Sequence, residues 1–326
     1  MTLNIKQCQQ AVEQIFEAEH FEAEPQSLYA PIAYTLRLGG KRLRPTLLVA
    51  ANSMLGGSVE QVRFAALGIE VFHNFTLLHD DLMDRSPLRR GKPTVYQQWG
   101  ANAAVLSGDT MYTLAWDYFL RQPLPRMHEV LQCFCHTALE VCEGQQYDMD
   151  FEQHDDVSIS QYLMMIRKKT AVLLAGALKI GALCADADAA TTERLYDFGI
   201  HLGLAFQLQD DLLDAYGDTA QLGKATGQDI RDNKKTYLML RALELGTESQ
   251  TRELRQLFAA GSEVNEEEKV KRTLAIYNEV GLKEGVEKAI DGEFALAAAE
   301  LDTIGVSAEA KCPLREVLAM LDGRKK

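Results

Sequence analysis

Residues 77–90 read LLHDDLMDRSPLRR, placing Asp80, Asp81 and Asp84 close together and Arg89 and Arg90 just after them. The same aspartate spacing returns in FQLQDDLLDAYGD at 206–218, as Asp210, Asp211 and Asp214. On a helix turning about 100° per residue, the first and last Asp of each trio share a face one turn apart. Like charges so close repel, and the segment loses stability unless a cation neutralises them. Carboxylates are hard oxygen donors, which suits Mg²⁺, an ion that keeps several waters and is shared between protein carboxylates and substrate phosphates. One such trio could be a solvated helix end. Two, each behind an apolar run and each followed by a basic loop, point to paired carboxylate claws.

The basic residues are equally local. GGKRLRP at 39–45 sets Lys41, Arg42 and Arg44 beside Gly39 and Gly40, whose backbone can approach an anion closely, and RRGKPT adds Arg89 and Arg90. The chain as a whole carries a formal charge of −13, so it has no electrostatic footprint for nucleic acid and is repelled by anionic membrane surfaces. An anionic ligand must therefore be held by these loops or through bound metal.

The elements that position these groups are helical. Apolar residues recur at three and four in ALGIEVFHNFTLLHDDLMD, YLMMIRKKTAVLLAGALKIGAL and LYDFGIHLGLAFQLQDDLLDAY, with no sustained strand-like alternation. No proline falls between residues 126 and 312. Several runs are apolar around most of the helix, as in the centre of a large bundle. Loops are expected at GGKRLRP, RSPLRRGKPT, RQPLPR and YGDTAQLGKATGQDIRDNKKT, and GSEVNEEEKVKR reads as a solvated loop and helix start. With no linker-like tract and no fixed repeat, a single domain over 1–326 is expected. His73, seven residues before Asp80, lies on the same helical stripe. By itself a lone His on an apolar helix reads first as a core residue.

Six cysteines lack C-x-x-C spacing, and Cys133, Cys135 and His136 have no second half elsewhere, so reduced, mostly buried thiols are expected. The opening MTLNIKQCQQAVEQIFEAEH interrupts any signal-peptide apolar run with polar residues. No stretch reaches the length of a membrane span, and the location expected is cytoplasmic.

GGKRLRP, LLHDDLMDRSPLRRGKPT, GQQYDMDF, KKTAVLLAGA, FQLQDDLLDAYGD and GKATGQDIRDNKKT follow one another over nearly the whole chain. In this order they resemble the trans-prenyltransferases, the head-to-tail isoprenyl diphosphate synthases. The resemblance implies an all-α fold, a single large antiparallel helical bundle around a deep central cavity, the isoprenoid synthase fold, with a homodimer as the usual assembly. It implies three magnesium ions on an allylic diphosphate, with Asp80, Asp84 and Asp210 as inner ligands and Asp81, Asp211 and Asp214 in supporting or water-mediated roles. Arg89, Lys169 and Lys224 would bind that diphosphate directly, and Lys234 would join the substrate-binding set. Isopentenyl diphosphate would lie metal-free against Gly40, Lys41, Arg44, His73 and Arg90. Lys169, Thr170 and Gln207 match positions whose oxygens face an allylic carbocation. The released diphosphate would then take the final proton.

Product length follows less directly. Thr76 is small and projects on nearly the face of Asp80, whereas Phe75 is bulky and about 140° away on a helical wheel. The family pattern nevertheless makes Phe75 the floor of the product tunnel. This favours geranylgeranyl diphosphate over farnesyl diphosphate, with longer products behind both. A terpene cyclase would not need the two basic loops, a non-catalytic partner subunit would be expected to have lost part of a claw, and a purely structural bundle leaves two acidic clusters unexplained. In the family the C-terminal tail can close over the isopentenyl site, which would involve Arg324 or Lys325.

Overall fold

The computed structural model describes residues 2–154, 156–217, 226–259 and 264–323. Helices account for nearly all the regular structure, as the apolar period predicts. The backbone groups into two compact units, one of Met1–Cys135, Gly176–Leu195 and Gly305–Glu316, the other of His136–Ala175, Tyr196–Ile304 and Val317–Lys326. All the boundaries but that at Ile304–Gly305 fall inside helices, such as Met127–Gln153 and Ala189–Tyr216.

In the first unit the long helix Val59–Met83 starts at Ser58, whose side chain accepts from the Gln61 N–H while the Gln61 side chain accepts from the Ser58 N–H. Every residue from Ala65 to Phe72 is buried, so this stretch is core on all sides. Gly68 lets helix Ala101–Leu120 approach, since a Cβ there would meet the Phe119 ring and the Ala115 carbonyl at about 3 Å. The helix ends at Asp84, so the first aspartate trio occupies its last turn. Helix Leu43–Met54 follows the GGKR turn and is buried from Pro45 to Met54.

In the second unit the KKT segment departs from a regular helix. Arg167–Ala171 forms a π-helical turn between helices Ile159–Ile166 and Val172–Cys184, closed by the Val172 N–H on the Arg167 carbonyl. Such turns insert one residue into a helix and re-aim its side chains, often at functional sites. Two glycines make room for it. A Cβ on Gly144 would fall less than 3 Å from the Lys168–Lys169 backbone, and one on Gly203 less than 3 Å from Ala171.

Some elements differ from expectation. Leu88–Arg89 and Lys92–Pro93 pair antiparallel inside the RSPLRRGKPT loop, and Gln228–Arg231 forms a short helix inside the last long loop. Pro31 and Pro313 lie inside helices Gln26–Arg37 and Ala308–Asp322, where each removes one hydrogen bond. Lys269, from the tract expected to be solvated, is 5% exposed. Its ammonium donates to Asn233 Oδ1 at 2.6 Å and to the Arg231 carbonyl, and lies over the Phe258 ring. Cys8, Cys133 and Cys184 are buried, while Cys142 and Cys312 are exposed.

Two predictions concern the second unit. Gly203→Ala should cost about 1–3 kcal/mol in urea unfolding, the scale of overpacking a filled interface. A loss below about 0.5 kcal/mol would mean that the π turn shifts freely. His201 Nδ1 sits 2.7 Å from Glu293 Oε2, with Glu300 and Asp197 also facing it, and the Glu293 hydrogen bond raises its pKa. A folded-state pKa above the unfolded value gives stability that is complete below about pH 6.5 and is lost as pH rises through the raised value. Glu293→Gln should therefore lower the thermal midpoint more at about pH 5.5 than at about pH 9. Equal losses at both would exclude the charged pair.

Candidate active site

The first unit assembles the first claw and both basic loops. Asp80 is partly exposed, Asp84 is exposed at the helix end, and Asp81 is buried. Asp81 is held from two sides: its carbonyl accepts from the Ser86 N–H, and Arg89 Nε donates to its carboxylate oxygens at 2.9 and 2.8 Å. The Arg89 guanidinium also lies 3.7 Å from Asp80. The two-stranded ribbon aims Arg89 in this way. Its base is tied by Thr94, whose hydroxyl donates to the Ser86 carbonyl and whose N–H donates to that of Pro87.

Arg90 turns the other way, in a left-handed backbone conformation with φ 53°, and its guanidinium lies against Gly40. Gly40 has φ 138°, so the backbone requires glycine, and a Cβ there would fall 2.6 Å from an Arg90 nitrogen and displace the guanidinium. Arg44 Nη1 lies 2.9 Å from His73 Nε2. Guanidinium can only donate, so Nε2 accepts and the imidazole proton is on Nδ1. Burial first, then the charges of Arg44, Arg90 and Arg89, push the His73 pKa well below its usual value. A neutral His73 thus joins Arg44 and Arg90, while Lys41 is exposed at the turn.

Beneath this group lies a residue to which the sequence reading gave no role. Glu70 is 3% exposed, and its carboxylate faces Arg42, Arg44 and Arg90. Burial outweighs their attraction and raises its pKa. A single Glu inside the apolar run ALGIEVFHNF was the available signal, because a buried carboxylate is almost always paired.

The second unit assembles the second claw and the KKT turn. Lys169 Nζ donates to Asp148 Oδ2 at 2.6 Å, and Thr170 donates to Gln207 Oε1 at 3.0 Å. Gln207 donates onward to Asp211 at 3.1 Å, and the other oxygen of Asp211 accepts from the Tyr162 hydroxyl. Asp214 accepts the backbone N–H groups of Gln228 and Asp229 at 3.3 and 3.0 Å, pinning the chain that leads to Lys234. Asp148, Tyr162, Lys169, Asp211, Asp229 and Lys234 line one cavity of about 90 Å³. Lys224 lies outside the described residues, as do Arg324 and Lys325.

The electrostatics of this cavity call for positive charge. Burial, then the nearby Asp229, push Asp211 up to about 8 despite the hydrogen bonds from Tyr162 and Gln207. Burial and Asp214 push Asp229 up to about 7, against the pull of Lys234. Among the described residues no three His, Cys, Asp or Glu side chains form a ready-made metal cage. Donors of this kind fit Mg²⁺, which completes its shell with water and phosphate oxygens rather than with an all-protein cage. Asp148, Tyr162, Asp229 and Glu70 were missed as site residues. Asp148 sits in GQQYDMDF and Asp229 in GKATGQDIRDNKKT, so both lay inside the motifs that carried the resemblance.

Comparison with known proteins agrees with these features. A family profile described as Polyprenyl synthetase matches residues 25–277. The geranylgeranyl diphosphate synthase of Methanosarcina mazei is 42% identical over 225 residues, covering 68% of this chain and 69% of that protein. The geranylfarnesyl diphosphate synthase of Natronomonas pharaonis is 43% identical over 241 residues, covering 68% and 71%. A crystal structure of a geranylgeranyl pyrophosphate synthase superposes with a TM-score of 0.94 at 41% identity, covering 100% of both chains. That of the geranylgeranyl pyrophosphate synthetase from Pyrococcus horikoshii gives 0.90 at 29% identity, covering 98% of each. The all-α fold, the two aspartate trios and this profile lead to one conclusion: the chain belongs to the polyprenyl synthetase family and is a prenyltransferase.

Proposed function

We propose that the chain condenses isopentenyl diphosphate head-to-tail with allylic diphosphates to give geranylgeranyl diphosphate, acting as one catalytic domain over 1–326. The observation that carries this reading is the Arg44–His73–Arg90 group. Two guanidiniums beside a neutral imidazole offer donors to a diphosphate without a metal, as a second, non-ionising substrate requires. A terpene cyclase has no use for this group.

Asp80 and Asp84 at the end of the first helix and Asp210 on the second are the magnesium ligands in this reading, on the pattern of the family, with Asp81, Asp211 and Asp214, which accept from Arg89, Tyr162 and backbone N–H groups, in supporting roles. Bound magnesium supplies neutralisation of the charge that builds on the allylic leaving group. Lys169, fixed by Asp148, adds a cation for that diphosphate, with Arg89, Lys224 and Lys234 in the same role. Thr170 and Gln207, hydrogen-bonded to each other, present oxygens to the allylic carbocation.

For product length, Phe75 is held among Phe72, Tyr112 and His79, with ring centroids 5.5, 5.4 and 4.9 Å away. A ring fixed on three sides makes a firm stop, and Thr76 beside it is small. The relatives reported above are named for geranylgeranyl or geranylfarnesyl diphosphate, which supports the geranylgeranyl reading over the farnesyl one and leaves residue 75 to separate it from longer products. The homodimer follows the pattern of the family, and Val105, Leu106 and Leu120 stand exposed on helix Ala101–Leu120 as candidate contacts. Among the described residues no helix is long and apolar enough to cross a membrane, in keeping with a cytoplasmic enzyme.

Purified protein given magnesium, labelled isopentenyl diphosphate and a fifteen-carbon allylic diphosphate should yield mainly a twenty-carbon product. Asp80→Ala should reduce turnover at least about a hundredfold while keeping a near-native thermal midpoint. Near-native turnover in that variant would refute the ligand assignment. Phe75→Ala should lengthen the product, and an unchanged length would remove Phe75 as the floor. Sedimentation of Leu106→Glu/Leu120→Glu should report a monomer where the parent chain is dimeric.

A further inference from the structure

GGKRLRP offers three cations, but they do not point the same way. Lys41 is exposed and Arg44 reaches His73. Arg42 is 11% exposed at its side chain and faces the N-terminal helix Ile5–Glu17 instead. Its guanidinium lies 3.8 Å over the Phe16 ring, with Nε 3.5 Å from Glu13, Nη2 donating to the Leu36 carbonyl at 3.2 Å and Nη1 3.9 Å from Glu70. Arg42 also takes a left-handed backbone, φ 42° and ψ 42°, directly before helix Leu43–Met54. A side-chain-bearing residue stays in that region only when its surroundings over-determine it, and these four contacts do so. The same twist sets the path from Gly40 to Arg44.

Glu70 is the other half of this support. Asn74 donates to one of its oxygens at 3.2 Å, and the second oxygen is buried without a hydrogen-bond partner. Arg44 Nε is likewise buried without a partner. Arg42 stands 3.9 Å from this buried carboxylate, and the charges of Arg44 and Arg90 act on it as well. Without it they would repel one another whenever no diphosphate is bound.

We propose that Glu70 and Arg42 form a buried positioning couple that presets the GGKRLR turn and the Arg44 and Arg90 guanidiniums for metal-free diphosphate. Neither touches the substrate. Arg42 fixes the backbone turn from the Phe16 side, and Glu70 supplies the counter-charge from below. The proposal rests on the reading of this pocket as the isopentenyl diphosphate site, and it goes further by naming the residues that act through the ligands.

The test is calorimetric titration of isopentenyl diphosphate without magnesium, beside steady-state kinetics, for the parent chain, Glu70→Gln, Glu70→Asp, Arg42→Met and the Arg42→Met/Glu70→Gln double variant. In Glu70→Gln and in Arg42→Met, the Kd and KM for isopentenyl diphosphate should rise about tenfold or more, with KM for the allylic substrate and kcat changed less than about threefold. Glu70→Asp, which keeps the charge, should lie nearer the parent. The double variant should lose less than the product of the two single losses, since the groups act as a unit. Phe16→Leu, which removes the ring but not the apolar contact, provides a variant without a charge change, expected to raise the same KM about threefold. Should Glu70→Gln fail to fold, Arg42→Met and Phe16→Leu decide the matter. An unchanged or lowered KM for isopentenyl diphosphate in the folded variants overturns the couple while leaving the proposed function standing. A parent chain that neither binds nor condenses isopentenyl diphosphate overturns both.

Discussion

The structure depends on carboxylates held at the wrong end of their helices. A helix C-terminus carries about half a negative charge, so aspartates in the last turn are unfavourable without compensation. Asp84 caps helix Val59–Met83, and Asp214 lies two residues from the end of helix Ala189–Tyr216. The two trios are compensated differently. Asp81 has the Arg89 guanidinium, whereas Asp211 has a phenol and an amide and Asp214 has backbone N–H groups. Those neutral donors do not offset burial, which, with the neighbouring carboxylates, pushes Asp211 and Asp229 up to about 8 and about 7.

The sequence was informative wherever chemistry is local. Aspartates one turn apart, a His two turns before them and glycines beside arginines are all set by short-range geometry, and the helical period placed them on helices. The π turn at Arg167–Ala171 was hidden because an inserted residue leaves the apolar composition of YLMMIRKKTAVLLAGALKIGAL unchanged. The ribbon at Leu88–Arg89 and Lys92–Pro93 is too short to show alternation. Lys269 looked solvated because its neighbours are glutamates. Its burial depends on Phe258, Arg231 and Asn233, which are distant in sequence, and no periodicity reports such a contact. The roles given to Lys224, Arg324 and Lys325 fall outside the described residues.

Glycine and buried charge do complementary work in the two units. Gly144 and Gly203 admit backbone against the KKT turn, and Gly40 admits the Arg90 guanidinium. Glu70 and Lys269 each sit under a loop bearing candidate ligands, one an anion beneath arginines and the other a cation beneath the Asp229–Lys234 segment. Glu70 has the sign opposite to the arginines above it, whereas Lys269 holds its segment through the Asn233 amide oxygen and the Arg231 carbonyl. A loop that must present like charges to a substrate is held together by the counter-charge beneath it, at the desolvation cost of one buried ion.

The same electrostatics separates two substrates that share a diphosphate. On the proposed reading only the allylic diphosphate must ionise, and isopentenyl diphosphate must survive intact beside it. A leaving group departs more readily when multivalent cations neutralise its developing charge, which assigns the acidic claws, the sites that attract such ions, to the allylic partner. The Arg44–His73–Arg90 group grips without that strength. Its His73 is kept neutral by burial and by the arginines, so it offers a hydrogen bond and no acidic proton. Two guanidiniums with an anion already beneath them, Glu70, hold a diphosphate in place while drawing little charge from its carbon–oxygen bond. On that reading, selective ionisation follows from where the chain puts its carboxylates: facing one diphosphate through metal, and buried behind arginines for the other.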